Sequence, residues 1–273
     1  MHIAAHITFF FVEDRISYLK EVVHNLQMLP HDKTIFIYSN GKVNKFIQDE
    51  NIIFLNYNYK KRAFFMLEGL HNEYLKKIGL VSLVHPFYLA WESRTHVLKN
   101  IENFDVQLYL EDDIGFDVNS LNYWLEHKDI CLKHGYNLGF LRIETTGNGE
   151  AFITDLTGYP GRILKLDGKP YLINDVNPYC GFWIYDKKEL RTFVKSNEWK
   201  FRFDYYGIRE KAAIGWHGIN MSRYKGTIIP IIKNDSGHYE TDARCAVRHL
   251  ANNYIGRYAF CKIKFPINLN EIE

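Results

Sequence analysis

The sequence predicts an α/β fold around a mostly parallel sheet, followed by an irregular second half. Three observations point there. Strand-like and helix-like segments alternate through residues 1–117, the pattern of parallel strands joined by crossover helices. The apolar run at 106–110 fills both faces of the pleat, as a strand buried inside such a sheet does. A hydrophobic content of 47% in 273 residues is enough for a sizeable core.

Residues 3–12 read as a first core strand, and 16–29 as a helix with Ile16, Leu19, Val22, Val23 and Leu26 on one stripe. Residues 34–38 are β-branched and aromatic and end in the turn Ser39-Asn40-Gly41. A short helix over 43–48 and a strand over 52–57 come next. Two helices are predicted at 64–78 and 86–98, the second opening on Pro86. The strand at 106–110 ends in three carboxylates, Glu111, Asp112 and Asp113. Further on, helices are read at 121–134, 187–196 and 204–214, and strands at 139–143, 181–185 and 227–232. Asp167-Gly168 joins strands at 162–166 and 169–173 as a hairpin. Without repeats or a Pro/Gly/Ser-rich linker, one domain over 1–273 is expected, with halves meeting at 117/118.

Composition excludes some functions. With 34 basic against 32 acidic side chains and a net charge of +2, nothing suggests a nucleic-acid partner. Cys131, Cys180, Cys245 and Cys261 are widely spaced and read as free thiols of a reducing compartment. No run approaches the ~18 apolar residues of a membrane span. The apolar start lacks the basic flank of a signal peptide, so a cytoplasmic protein is expected. The tail at 257–266 sets Arg257, Lys262 and Lys264 among Tyr258, Phe260 and Phe265, which allows peripheral contact with an anionic membrane face or an ordinary strand.

Ligands of parallel sheets bind beyond the carboxyl ends of the strands. Carboxylates crowded there repel one another unless a cation or proton neutralises them. The acid cluster therefore reads as a divalent-cation site for a nucleoside diphosphate, or as a solvated acidic turn.

Four features occur in order: a strand ending near Arg15, a strand ending at Ser39, the acidic strand end, and a C-terminal segment with His217, His238 and His249. Together with Leu-Glu-Asp-Asp-Ile at 110–114 and His-Pro-Phe-Tyr-Leu-Ala-Trp-Glu-Ser-Arg at 85–94, this resembles the GT-A glycosyltransferases. The flavour is closest to bacterial surface-polysaccharide and lipopolysaccharide enzymes, of galactofuranosyltransferase type. The resemblance implies a GT-A-like, Rossmann-type sheet with helices on both faces and an acceptor-binding second half. It implies a nucleotide-sugar donor, UDP-linked, a glycan or lipid-linked glycan acceptor, and Mn²⁺ or Mg²⁺. Arg15, Ser39, Arg94, Glu111 and Asp112 would attend the donor. Asp113 would ligate the cation, with His249 as first choice and His238 as second to complete its shell. The motif here is Glu-Asp-Asp rather than Asp-x-Asp, which leaves the division of labour among the acids open.

An inverting transfer also needs a base for the acceptor hydroxyl. Glu210, opening a helix, is the candidate, with Asp204 and Glu144 as competitors. Glu144 could alternatively meet the acceptor or pair with Arg142, and Trp183 could stack on a sugar or belong to the core. A metal-dependent nucleotidyltransferase is the rival enzyme, but residues 1–30 contain no Gly for a phosphate loop. A carbohydrate-binding or inactive transferase-like protein is the rival without chemistry.

Overall fold

β1 (His2–Phe9) is buried from Ile3 to Phe9, so both faces of the strand are covered, as the unbroken apolar run requires. The computed structural model describes residues 1–59, 78, 86–200, 207–215, 226–257 and 259–269. In chain order the described strands and α-helices are β1, α1 (Ile16–Gln27), β2 (Asp32–Ser39), β3 (Ile52–Asn56), α2 (Ser93–Lys99), β4 (Val106–Glu111), β5 (Ile114–Gly115), α3 (Val118–Lys133), β6 (Leu141–Thr145), β7 (Ala151–Ile153), β8 (Arg162–Leu166), β9 (Lys169–Asn174), β10 (Phe182–Asp186), α4 (Lys187–Phe193), α5 (Ile208–Ile214), β11 (Thr227–Lys233), β12 (Tyr239–Thr241), β13 (Ala246–His249) and β14 (Ile263–Phe265). The architecture is mixed α/β.

The chain divides into two compact units, Met1–Asp113 with Gly181–Trp216, and Ile114–Cys180 with His217–Glu273. The chain leaves the first unit after Asp113 and returns to it for a second passage.

The first unit holds a sheet in the order β10-β4-β1-β2-β3. β1, β2, β3 and β4 are parallel. β10 runs antiparallel to β4, with Phe182 opposite Leu110 and Asp186 opposite Val106. From β1 the chain proceeds one way to β2 and β3, then crosses to the other side of β1 for β4. The β1/β4 gap is therefore the topological switch point of the parallel strands. α1 buries the predicted stripe of Ile16, Leu19, Val22, Val23 and Leu26. Ala4, Phe36, Tyr38, Tyr88, Leu89, Phe104 and Ile208 share a core cluster. His6 lies fully inside the sheet, bonded to Tyr38 Oη at 2.8 Å and Gln107 Oε1 at 2.9 Å. Burial pushes its pKa down to about 3, so it stays neutral.

Two predicted helices differ. Residues 43–48 make one turn closed by Phe46 N–H to Val43 O, too short to propagate. The helix expected at 86–98 is a 3₁₀ segment, Pro86–Trp91, followed by α2. Its aromatic-rich start is a poor α-helix former. The helix expected at 64–78 lies outside the described residues apart from Ile78.

The second unit holds an antiparallel sheet, β12-β11-β9-β8, and a mixed one, β14-β7-β6-β13-β5, in which β6 and β13 are parallel. The predicted hairpin joins β8 to β9, and Asp167 and Gly168 both adopt positive φ, 45° and 81°. Asp117 caps α3 by accepting from Asn119 N–H and Ser120 N–H. The cysteines are free thiols. No described helix is long and apolar enough to cross a membrane.

Candidate functional site

The first unit opens a cavity of about 160 Å³ at the β1/β4 switch point. Thr8, Phe10, Val12 and Arg15 line it from the end of β1 and the turn into α1, and Tyr109, Glu111 and Asp112 from the end of β4. Pro86, Phe87, Leu89 and Ala90 form an apolar wall, and Arg209 of α5 completes the lining. This is where open α/β sheets bind ligands, because the strand ends splay apart at the reversal of strand order. One side is aromatic and apolar, the other charged.

β4 sets the charged side. Glu111 is its last residue, level with Thr8 of β1, and its N–H donates to Gly181 O at 3.0 Å. Asp112 and Asp113 follow, both buried. Both converge on one cation. Arg15 donates from Nε to Asp112 Oδ2 at 2.7 Å and from Nη2 to Asp113 Oδ2 at 2.8 Å. Burial, then the charge of Asp113, pushes the Asp112 pKa up to about 6 against the pull of Arg15. The Arg15 pKa is raised because its bonds to the two acids outweigh its own burial.

These carboxylates suit a hard divalent cation: two buried acids on consecutive residues already share one positive partner. Among the described residues no group of three or more His, Cys, Asp and Glu side chains gathers as a cation cage. The pair therefore fits one side of such a site.

The other expected site residues fall elsewhere. Ser39, at the end of β2, is buried and accepts from Gly41 N–H, and it does not line the cavity. Arg94 does not face a donor. Its guanidinium lies in an aromatic box, 4.8 Å from the Trp91 ring centre, 4.8 Å from Phe193 and 4.4 Å from Trp199. It donates to Trp199 O and Ala212 O, and burial lowers its pKa to about 9. Trp183 leaves no face for a sugar either. It stacks between Tyr109 and Tyr185 at interplanar angles of 16°, and its Nε1–H donates to Ala212 O at 3.1 Å.

Glu210 is the third residue of α5, and its carboxylate folds back over Gly207, where a Cβ would meet Oε2 at 2.4 Å. Its neighbour Arg209 lines the cavity instead, the guanidinium 4.7 Å from the Phe87 ring centre. Asp204 and His217 lie outside the described residues.

In the second unit Glu144 is not open to an acceptor, nor does it pair with Arg142, which binds Asp155 at 2.7 Å. Glu144 is buried and accepts from the backbone N–H groups of Asn253, Tyr254 and Ile255. It also bonds His249 Nδ1 at 2.6 Å, and His249 stacks on Tyr254 with centroids 4.9 Å apart. His238 is exposed in a turn held by Asn234. The tail engages its own unit: Phe260 stacks on Tyr254 and Lys264 pairs with Glu150.

Thr8, Phe10, Val12 and Tyr109 were not singled out from the sequence. The signal was available for the strand residues, because every side chain near the carboxyl ends of two adjacent parallel strands borders the same crevice. Residues 86–90 belong to the 85–94 segment that carried the family resemblance, whereas Arg209 carried no such signal, since only the tertiary fold brings it to β1 and β4.

Comparison with protein-family models and with curated proteins finds no match. Two solved structures of LgtC are similar to this chain. One is an active-site mutant of LgtC, at 17% identity and a TM-score of 0.32. The other is the galactosyltransferase LgtC in complex with donor and acceptor sugar analogues, at 17% identity and a TM-score of 0.30. Each match covers 73% of this chain and 63% of that one, less than two thirds of the LgtC length. Likeness at this level carries no weight for activity, and the site stands on its own geometry.

Proposed function

We propose that this protein is a glycosyltransferase of GT-A type. It would move a sugar from a nucleoside-diphosphate donor, UDP-linked, to a hydroxyl of a glycan or lipid-linked glycan in surface-polysaccharide synthesis. The observation that supports this best is the cavity at the β1/β4 switch point, where Asp112 and Arg15, which also binds Asp113 behind it, line the same space as an apolar aromatic wall. The aromatic wall of Phe10 and Phe87 suits a flat nucleobase or a sugar face. Arg15 and Arg209 suit phosphate oxygens, which a planar guanidinium grips two at a time.

Sugar transfer expels a diphosphate whose charge must be stabilised as the bond breaks. Asp112 and Asp113 would hold Mn²⁺ or Mg²⁺, and the ion when bound supplies that positive charge. Glu210 remains the proposed base, which requires its carboxylate to turn away from Gly207, and Asp204 is the proposed alternative.

The described tryptophans do not favour a sugar-binding module without chemistry. Trp183 and Trp124 are buried, and Trp91 and Trp199 border the buried Arg94 guanidinium. The test is release of UDP from UDP-sugars, in wild type and Asp113→Ala. Asp113→Ala should lose turnover at least a hundredfold, a loss typical of charge stabilisation in a buried site, while keeping its circular dichroism spectrum. Equal turnover in the two proteins contradicts the assignment.

A further inference from the structure

Arg15 holds one oxygen of each carboxylate proposed for the metal ion. Its Nε and Nη2 bridge Asp112 and Asp113, rather than forking onto a single carboxylate. A cation drawn to those two oxygens competes with the guanidinium, and Arg15 is the more exposed of the three partners. The Arg15 side chain is 31% exposed, whereas those of Asp112 and Asp113 are 12% and 7% exposed. Arg15 ends a short 3₁₀ turn, Glu13–Arg15, and its guanidinium also lies 5.7 Å from the Tyr18 ring centre. The acids, in contrast, are fixed at the end of a central strand.

We infer that Arg15 is a place-holding counter-ion for the acid pair, so that divalent cation and nucleoside diphosphate bind as a coupled pair. The inference rests on the reading above, in which the cavity takes both. Two buried carboxylates without a positive partner would be costly, and Arg15 removes that cost while the site waits. A cation arriving alone binds only the fraction of molecules in which Arg15 has left, and its apparent affinity is reduced by that fraction. A diphosphate changes the balance. It offers phosphate oxygens to the released guanidinium at the cavity it already lines. Each ligand thereby favours the state that the other needs, and the coupling is reciprocal.

The test is titration of the whole protein with Mn²⁺ alone, reading free Mn²⁺ by electron paramagnetic resonance, with and without saturating UDP. In wild type, UDP should raise Mn²⁺ affinity about tenfold or more, within the usual range of coupling between sites. Arg15→Gln should bind Mn²⁺ alone several-fold more tightly than wild type and lose most of the UDP dependence. Arg15→Lys keeps a cation in place and should stay near wild type. Adding Asp113→Asn to Arg15→Gln should remove the gained affinity, which assigns it to the acid pair. Unchanged or weaker Mn²⁺ binding in a folded Arg15→Gln protein overturns the inference, as does a UDP effect of the same size in both proteins. Tighter Mn²⁺ binding in Arg15→Gln with no UDP bound by any variant supports the counter-ion role and contradicts the nucleotide reading.

Discussion

Asp112 carries a charge that burial disfavours, and that has a measurable consequence. Its pKa rises from 3.8 to about 6, chiefly through burial, so the folded state binds a proton that the unfolded chain would release. A raised carboxylate pKa means that stability falls as pH rises through this window. Relative to Asp112→Asn, the wild type should therefore gain stability as pH falls from 7 to 4. Urea denaturation of the two proteins across that range checks it, and parallel stability curves contradict it. Glu144 gives a second prediction. Both its oxygens accept from the 253–255 backbone, so Glu144→Gln places an amide donor against other donors. It should destabilise by about 1–3 kcal/mol, the cost of unsatisfied buried groups. An acceptor-binding Glu144 would instead leave the denaturation midpoint unmoved. The acid triplet was legible because it ends an apolar run abruptly. Arg94 and Glu144 were not, since the groups that hold them come from Trp199, Ala212 and residues 249–255, far along the chain.

At the level of elements, periodicity served best where an element buries a continuous face. β1, β2, β4 and α1 lie close to their predicted spans because each has an unambiguous apolar pattern. The hairpin was legible for a local reason, since Asp-Gly accepts two successive positive φ values. Gly168→Ala should therefore lower stability by about 1 kcal/mol through strain at φ 81°, with no cost from contacts, because nothing lies within 4 Å of the added Cβ. β10 was readable as a strand but not as antiparallel, because direction depends on how the chain re-enters the first unit. It brings Trp183 between Tyr109 and Tyr185. Trp183→Ala should cost roughly 3–5 kcal/mol, as for other buried aromatic truncations. A Trp that stacked on sugar would lose ligand affinity and leave stability nearly intact. Chemical denaturation beside sugar titration separates the two.

For the whole molecule, strand–helix alternation and apolar content fit the mixed α/β architecture but did not reveal the division into two units. That division follows from a return passage, Gly181–Trp216, whose strand and helix resemble any others when read locally. The return passage also brings Arg209 to the cavity, so the site of the first unit is discontinuous in sequence. Its remainder comes from residues 8–15, 86–90 and 109–112. The central claim is that this cavity binds a nucleoside diphosphate through the acid pair and its cation. The most direct measurement is the thermal midpoint of wild type and Asp113→Asn with UDP, with and without Mn²⁺. A ligand at 100 times its dissociation constant adds about 2.7 kcal/mol of stability, enough to raise the midpoint visibly. The midpoint should rise in wild type, most with UDP and Mn²⁺ together, and the rise should be lost in Asp113→Asn. No rise with any nucleotide, or an equal rise in both proteins, would contradict it.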